Sequence, residues 1–447
     1  MKLFNTATRK LETFKPLGEV IKIYTCGPTV YNYQHIGNYA AYVYWDLLVR
    51  ALRANGYAVK RVLNLTDVGH LVSDGDSGED KLEKGAAREG KSVYEVAEYY
   101  AEDFLKNYRG LNLTEPDVIA RATAYIEADK RAVDLMTEHG FTYETADGVY
   151  FDTAKFERYA DFAHLDIAGL QAGARVGFSD EKRNASDFAV WKFIKPGEKH
   201  AMRWDYLGRP GYPGWHLECS TIIHEELSEP IDIHTGGIDH IPVHHTNEIA
   251  QSFAAYGHEL SRYWLHCDFI TIDGQKISKS LGNVYLLSDL AERGFSPMDY
   301  KMWLLSGHYQ GTRNFTFESL EGAKQRRLNW RKRIALCYQQ EIVSENNIYE
   351  RVLEAVSNNL NSAEAFAIID AGVLSLEDWR KVDELFGLKL IEDTPDVSEK
   401  IVDKIIEREK ARAKKDYTMS DQIRDELLAE GIALRDTPDG AVWEYMK

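Results

Sequence analysis

The stretch from residue 20 to residue 65 constrains the fold more than any other part of the chain. Val20-Ile21-Lys22-Ile23-Tyr24 is a short β-branched and aromatic run, and the Gly27-Pro28 turn signal follows it. Beyond Gly37, apolar residues recur with a helical period at Ala40, Val43, Leu47, Leu48, Ala51 and Leu52, and Gly56 closes the segment. Residues 58–65 then read as a second strand. A strand–helix–strand unit places its strands in parallel, and ligands on such a sheet sit where strand ends meet helix starts.

The rest of the chain breaks this rhythm and then resumes it. After the acidic, Gly-rich residues 73–80, the region 115–215 mixes short helices with loops such as Gln171-Ala172-Gly173-Ala174-Arg175 and Trp191-Lys192-Phe193, and it reads as an insertion. Strand-like runs return at Ile231-Asp232-Ile233 and Asp268-Phe269-Ile270-Thr271-Ile272, where the first sheet is expected to continue. From residue 318 helical periodicity dominates up to Pro395. The end of the chain predicts helices over 398–415 and 420–430, then a strand around Ala441-Val442-Trp443.

Composition narrows the class. The chain has 447 residues, 44% hydrophobic and 12% aromatic, which excludes disorder and suggests about three units at ~150 residues each. No run approaches the ~20 apolar residues of a membrane span, and the charged start lacks the apolar core of a secretory signal, so a soluble cytoplasmic protein is expected. With 71 acidic against 54 basic residues the net charge is −17, a field that repels phosphates. Any nucleic-acid contact therefore rests on local clusters, such as Lys324, Arg326, Arg327, Arg331, Lys332 and Arg333. Four scattered cysteines, Cys26, Cys219, Cys267 and Cys337, are too few for a disulfide framework, so free thiols or metal ligands are expected.

Four constellations could carry chemistry. Gln34-His35-Ile36-Gly37-Asn38 falls between the first strand and the first helix, where unpaired N–H groups, a partial positive charge and a small residue suit a phosphate. Lys276-Ile277-Ser278-Lys279-Ser280, in a loop flanked by Gly274 and Gly282, suits a polyphosphate that is held and then released. Ile233-His234-Thr235-Gly236-Gly237-Ile238-Asp239 places glycines and an acid after a strand, where a flat ligand can lie on the backbone and a carboxylate can take ribose hydroxyls. His244 and Glu248, four apart, share one helix face with Pro242 near its start; with Cys26 and Cys219 they form a reasonable zinc set. His224, His240, His245 and Cys267 are competing donors that spacing leaves open.

Together these pieces follow a known order: Cys26-Gly27-Pro28-Thr29-Val30-Tyr31, the HIG element, Gly214-Trp215-His216-Leu217-Glu218-Cys219-Ser220, the Gly-Gly-x-Asp turn, His244-His245-Thr246-Asn247-Glu248 and the KISKS loop. The chain resembles the cysteinyl-tRNA synthetase family of class I aminoacyl-tRNA synthetases, and does so end to end. That resemblance extends to Ala172-Gly173-Ala174-Arg175 and to the closing segments Lys415-Asp416-Tyr417 and Asp436-Thr437-Pro438.

The resemblance implies an α/β fold. Its Rossmann-type catalytic domain (1–114 and 216–266) is split by an inserted domain (115–215), and a stem-contact region carries KISKS (267–317). A helical bundle (318–395) and a small C-terminal α/β anticodon-binding domain (396–447) complete it. The implied reaction activates L-cysteine with ATP and Mg2+ and transfers it to the 3′ end of tRNA(Cys), in a cytoplasmic monomer. Zinc falls to Cys26, Cys219, His244 and Glu248, and ATP to His35, Gly37, Asn38, Gly236, Gly237, Asp239 and Lys279. Lys276 and Lys279 join His35 as catalytic residues, and Trp215 and Thr66 bind the amino acid.

Zinc has a physical rationale in such an enzyme, because serine differs from cysteine only by oxygen for sulfur and shape rejects it poorly, whereas a thiol becomes a metal ligand far more readily than a hydroxyl. The chain departs from the family pattern at Asn38, Ile277, Thr235 and Thr246. Two rival functions share most of these motifs. A cysteine:amino-sugar ligase of the mycothiol type should lack the full C-terminal part, where Arg408, Arg412, Lys414 and Lys415 are available to RNA phosphates. A silent RNA-binding paralogue has no need of both lysines and all four donors together.

Overall fold

The computed structural model describes residues 1–69, 81–165, 181–195, 197–198, 200–345, 347–437 and 440–446. The acidic stretch at 73–80, the 171–175 segment and Pro438 lie outside them. Among the described residues a five-stranded parallel sheet has the order Ser261–Cys267, Ile231–Gly237, Val20–Thr25, Ala58–Leu65, Val118–Arg121. Ile21, Ile23, Ile231, Ile233, Leu63 and Leu65 are all buried, as expected for a parallel sheet covered on both faces. The register pairs Thr25 with Thr235 on one side and with Leu63 on the other, so the turns after both strands emerge side by side.

Two boundaries differ from the sequence reading. Val118–Arg121 pairs with Ala58–Leu65, so the insertion expected from residue 115 starts later, after this fifth strand. The second edge strand is Ser261–Cys267, whose Arg262 and His266 mask its alternation, while Ile270–Ile272 belongs to a separate three-stranded sheet with Gln275–Lys276 and Arg313–Phe315. The insertion is an antiparallel sheet of Thr142–Thr145, Gly148–Phe151, Phe188–Phe193, Arg209–Pro213 and Trp204–Tyr206. Phe151 and Phe188 stack at 5.1 Å within it.

The helix Ile36–Ala54 is buried around most of its circumference, including the polar Asp46. Asp46 accepts from Lys301 Nζ at 2.9 Å, Arg50 Nε at 2.8 Å and Thr114 N at 2.7 Å. Burial would raise this carboxyl, but the Lys301 and Arg50 cations hold it well below the usual carboxylate range. Arg50 also donates to Glu384 O at 2.7 Å, which ties the same helix to the C-terminal bundle.

The bundle comprises Phe317–Gln339, Ile348–Ser357, Ser362–Ala371 and Leu376–Phe386; beyond it, Glu399–Ala413 and Tyr417–Ala429 pack beside the hairpin Ile432–Thr437/Gly440–Tyr445. Much of the basic cluster read as a nucleic-acid contact is engaged within the chain, and Arg327 and Arg331 are buried. Arg327 Nε donates to Leu388 O at 3.2 Å, Arg331 Nε to Thr394 Oγ1 at 3.0 Å and Arg333 Nη1 to Ile369 O at 2.8 Å. Arg326 pairs with Asp370 at 3.1 Å, Lys332 with Glu444 at 3.0 Å, and Lys324 donates to Gly294 O at 3.0 Å. Arg327 and Arg331 thus satisfy groups at buried helix junctions, which removes these two from the candidate RNA contacts, while Arg326 and Lys332 keep partly exposed side chains. Arg408 is likewise buried against Asp436 at 2.8 Å, and Arg412 binds the same carboxylate. Among the described residues no helix is long and apolar enough to cross a membrane.

Asp129, on the helix Ile126–Glu138, is fully buried and accepts from Thr221 Oγ1 of the helix Leu217–Leu227 at 2.5 Å. Burial pushes its carboxyl up to about 8. The folded state therefore holds a proton that the unfolded chain, at pKa ~3.9, releases, so this group's contribution to stability is full below pH ~4 and lost as pH rises toward 8. Asp129→Asn has no such proton to lose. Its urea midpoint should change less between about pH 5 and pH 8 than that of the wild-type chain, and parallel pH profiles would contradict the assignment.

Candidate active site and metal centre

Four elements deliver one buried cluster. Cys26 follows the strand Val20–Thr25, and Cys219 lies in the first turn of the helix Leu217–Leu227. His244 sits in a single π-type turn, Ile241–His245, that opens with Pro242 and runs into the helix Thr246–Tyr256, whose first turn carries Glu248. Such a turn widens the helix entrance and is common at functional sites. The donor atoms of Cys26, Cys219, His244 and Glu248 all lie within 4.8 Å of one another, and all four residues are buried. Cys219 Sγ is 3.5 Å from His244 Nε2, which is 3.0 Å from Glu248 Oε1. Cys26 Sγ is 4.0 Å from the same Glu248 oxygen.

Cys26 and Glu248 also belong to a second convergent set with His234 and His245. Outer contacts orient the donors of both sets, and donor chemistry separates them. His216 Nδ1 meets His244 Nδ1 at 2.9 Å, which leaves His244 Nε2 aimed inward, and His234 Nε2 holds Glu248 Oε2 at 2.7 Å, which leaves Oε1 facing the thiols. His245 is held through Nδ1 by His266 at 2.8 Å, and His266 by Thr6 at 2.7 Å, which leaves His245 Nε2 3.4 Å from Cys26 Sγ. His234 and His216 thus hold donors in place, as partners of metal ligands usually do, and the set with two thiols suits a borderline-soft cation better.

The charges fit this arrangement. Burial pushes both thiols up, yet Cys26 is held well below its ordinary value by hydrogen bonds from Cys219 and the neighbouring imidazoles, while Cys219 stays high. Burial acts against Glu248 as well, but His234 and His244 bring its carboxyl down to about 2. His245 is driven down to about 4 by burial and by His234. The cluster joins sulfur, carboxylate oxygen and imidazole nitrogen donors in a buried site, and it is compatible with a metal ion.

Beside it, the two phosphate-seeking elements touch. His35 is the N-cap of the helix Ile36–Ala54: its Nδ1 accepts from Asn38 N at 3.3 Å, and its own N–H donates to Asn38 Oδ1 at 3.0 Å. A Cβ at Gly37 would stand 2.7 Å from Ile277 Cδ1 of the KISKS loop, so that loop lies over the helix start. Burial lowers the His35 pKa, and the Lys279 charge lowers it further. Asn283 closes the loop, accepting from Ser278 N at 2.8 Å and donating to Lys276 O at 3.1 Å. Lys276 and Lys279 are both exposed.

The glycine pair that ends the strand Ile231–Gly237 packs against the chain itself. A Cβ at Gly236 would meet His245 Cε1 at 2.7 Å and His240 Nδ1 at 2.8 Å, and one at Gly237 would meet the Asp239 carboxylate at 2.3 Å. Asp239 is exposed at the strand end. The Trp215 ring lies 4.7 Å from the His244 ring, and the Thr66 hydroxyl donates to Glu218 Oε1. Two of the departures from the family pattern have local partners: Thr235 Oγ1 donates to Tyr24 O at 3.2 Å and Thr246 Oγ1 to Ile241 O at 2.7 Å.

Comparison with known proteins places this site in a family. A model of the class I (C) tRNA synthetase catalytic domain matches residues 13–325, and one of the cysteinyl-tRNA ligase anticodon-binding domain matches residues 394–443. The chain belongs to the cysteine-tRNA ligase family. It is 42% identical to cysteine-tRNA ligase 1 of Burkholderia lata, over 98% of this chain and 95% of that one. It is also 38% identical to cysteine-tRNA ligase of Treponema denticola over the full length of both. Among solved structures, Mycobacterium tuberculosis methionyl-tRNA synthetase in complex with methionyl-adenylate matches with a TM-score of 0.60 at 16% identity, covering 82% of this chain and 84% of that one, which supports the class I fold.

Sequence reasoning for this family member missed His216, His234 and His266 as partners of the cluster. A density signal was present, since eight of the 14 histidines fall between residues 216 and 266. The tightest constraint on the site is steric. A Cβ at Gly27 would lie 1.6 Å from the Asn64 carbonyl oxygen. Gly27→Ala must push the turn behind Cys26 away from the neighbouring strand, so we expect a loss of about 1–3 kcal/mol in unfolding free energy together with loss of retained metal. Normal stability and metal content in that variant would refute the close approach.

Proposed function

We propose that this ligase activates L-cysteine with ATP to cysteinyl adenylate and pyrophosphate, then passes the cysteinyl group to the 3′-terminal adenosine of tRNA(Cys). The observation that carries this reading is the convergence of Cys26, Cys219, His244 and Glu248 within 4.8 Å, beside Trp215. Those four residues would hold Zn2+, which supplies a Lewis-acid site that takes a thiol of ordinary pKa ~8.5 in preference to a hydroxyl and so separates cysteine from serine. Trp215 and Thr66 flank the amino acid.

The chain's own groups arrange the other reactant. With Nδ1 accepting from Asn38 N, His35 carries its proton on Nε2 and donates it toward the ATP phosphates, which also face the helix start at Gly37 and Asn38. Gly236, Gly237 and Asp239 border the ribose and adenine. A carboxylate oxygen of cysteine attacks the α-phosphorus as the bond to pyrophosphate breaks, and Lys276 and Lys279, with Mg2+ brought by ATP, neutralise the departing charge. An anticodon-binding match at residues 394–443 supports tRNA over an amino-sugar acceptor, and a silent paralogue needs neither lysine. The enzyme is read as a cytoplasmic monomer.

Two substitutions test the roles. Cys219→Ser should lose metal and cysteine-dependent ATP–pyrophosphate exchange; full metal occupancy with normal exchange would remove Cys219 from the donor set. Lys279→Ala should slow adenylate formation by about 10²-fold with little change in the KM for cysteine, so a defect confined to KM would contradict the pyrophosphate role.

A further inference from the structure

A buried polar chain behind the donor cluster joins the two cysteine-bearing segments. Gly27 N donates to Asn64 Oδ1 at 2.7 Å, and Asn64 Nδ2 donates to Thr66 Oγ1 at 3.1 Å and to Glu218 Oε1 at 3.4 Å. Thr66 Oγ1 in turn donates to Glu218 Oε1. One end of this chain is the residue after Cys26, and the other is the residue before Cys219. Backbone contacts reinforce the first end, with Thr66 N donating to Pro28 O and Val30 N to Thr66 O, each at 3.1 Å. Asn64, Thr66 and Glu218 are all at most 2% exposed, so their hydrogen bonds do not compete with water.

The two segments have reason to need a brace. They lie more than 190 residues apart in sequence, yet their sulfurs must converge on one buried donor cluster. Of the links between them, Glu218 Oε1 is the point where hydrogen bonds from Asn64 and Thr66 converge on the helix that starts at Leu217.

We infer that Glu218 is a positioning residue of the metal centre, which through Thr66 and Asn64 fixes the distance between Cys26 and Cys219. This rests on the reading of Cys26, Cys219, His244 and Glu248 as zinc ligands. What the brace needs from Glu218 is an acceptor oxygen, not its charge, and the two requirements can be separated.

The test measures zinc affinity by competition with a chelator, on the full-length chain, alongside the thermal midpoint of the metal-free protein. Glu218→Ala should weaken zinc binding by about tenfold or more, and Thr66→Val, which keeps the volume but removes the linking hydroxyl, should do so to a similar degree. Glu218→Gln retains an oxygen for Thr66 and Asn64 and should bind zinc within about threefold of wild type. Should Glu218→Ala not accumulate as folded protein, Thr66→Val and Glu218→Gln carry the comparison. The brace is overturned if Thr66→Val folds and binds zinc as tightly as wild type. It is equally overturned if Glu218→Gln loses affinity as Thr66→Val does, which would assign the effect to charge. A wild-type chain that binds no zinc would instead sink the reading of the four donors.

Discussion

The parallel pairing of Val20–Thr25 with Ile231–Gly237 is the constraint from which the rest of the site follows. These strands are separated by the whole insertion, yet their register sets Thr25 beside Thr235 and brings both carboxyl ends to one edge. Cys26 leaves the first strand there, and the turn carrying Gly236 and His240 leaves the second. A slip of one residue would reverse which side chains face the helices and would carry Cys26 away from Glu248. The apolar residues on both faces of this sheet therefore do more than stabilise it; they fix where sulfur and oxygen donors can meet.

A second requirement is that the helix start at His35 keeps its place relative to the KISKS loop, which belongs to the region beyond the sheet. The helix is pinned at its start and at its middle. Near its start, Ile36 N donates to Tyr285 O at 2.9 Å and Tyr300 OH donates to Ile36 O at 2.6 Å. Further along, Asp46 gathers Lys301, Arg50 and the Thr114 amide. A buried ion pair of this sort stabilises little compared with apolar packing of the same shape, but removing one partner would strand a charge, so it specifies one docking geometry. Both contacts involve residues 285–301, downstream of the loop, so a single segment positions helix and loop together.

Much of this was legible in the chain. The strand–helix–strand unit was readable because its strands are β-branched and its helix keeps a clean period; the HIG and KISKS elements stood out only together, since each alone also reads as a plain turn or surface loop, and they do meet at Gly37 and Ile277. The edge strand Ser261–Cys267 was not, since its polar residues serve the histidine cluster and hide the pattern a strand would show. The arginines of 326–333 misled for a related reason. A run of cations looks like a phosphate-binding face, but in helical junctions guanidinium groups also cap carbonyls such as Leu388 O and Ile369 O, and spacing cannot tell which partner they have. Nor could spacing rank His244 above His245, because adjacent histidines in a π-type turn both point inward.

The histidine cluster explains why the choice of donors matters electrostatically. His245 is driven down to about 4, and His266 also falls well below its ordinary value, so both stay neutral and act as dipoles rather than charges. The charge that remains in the pocket is that of the Cys26 sulfur and the Glu248 carboxylate, opposed by His244, whose pKa is raised well above normal by Glu248 despite burial. A divalent cation relieves this arrangement more completely than a proton on His244 can, because it attracts both thiols and the carboxylate at once and frees the imidazole lone pair. His245 and His266, both lowered in pKa, then line the buried site with polar groups that add little charge of their own.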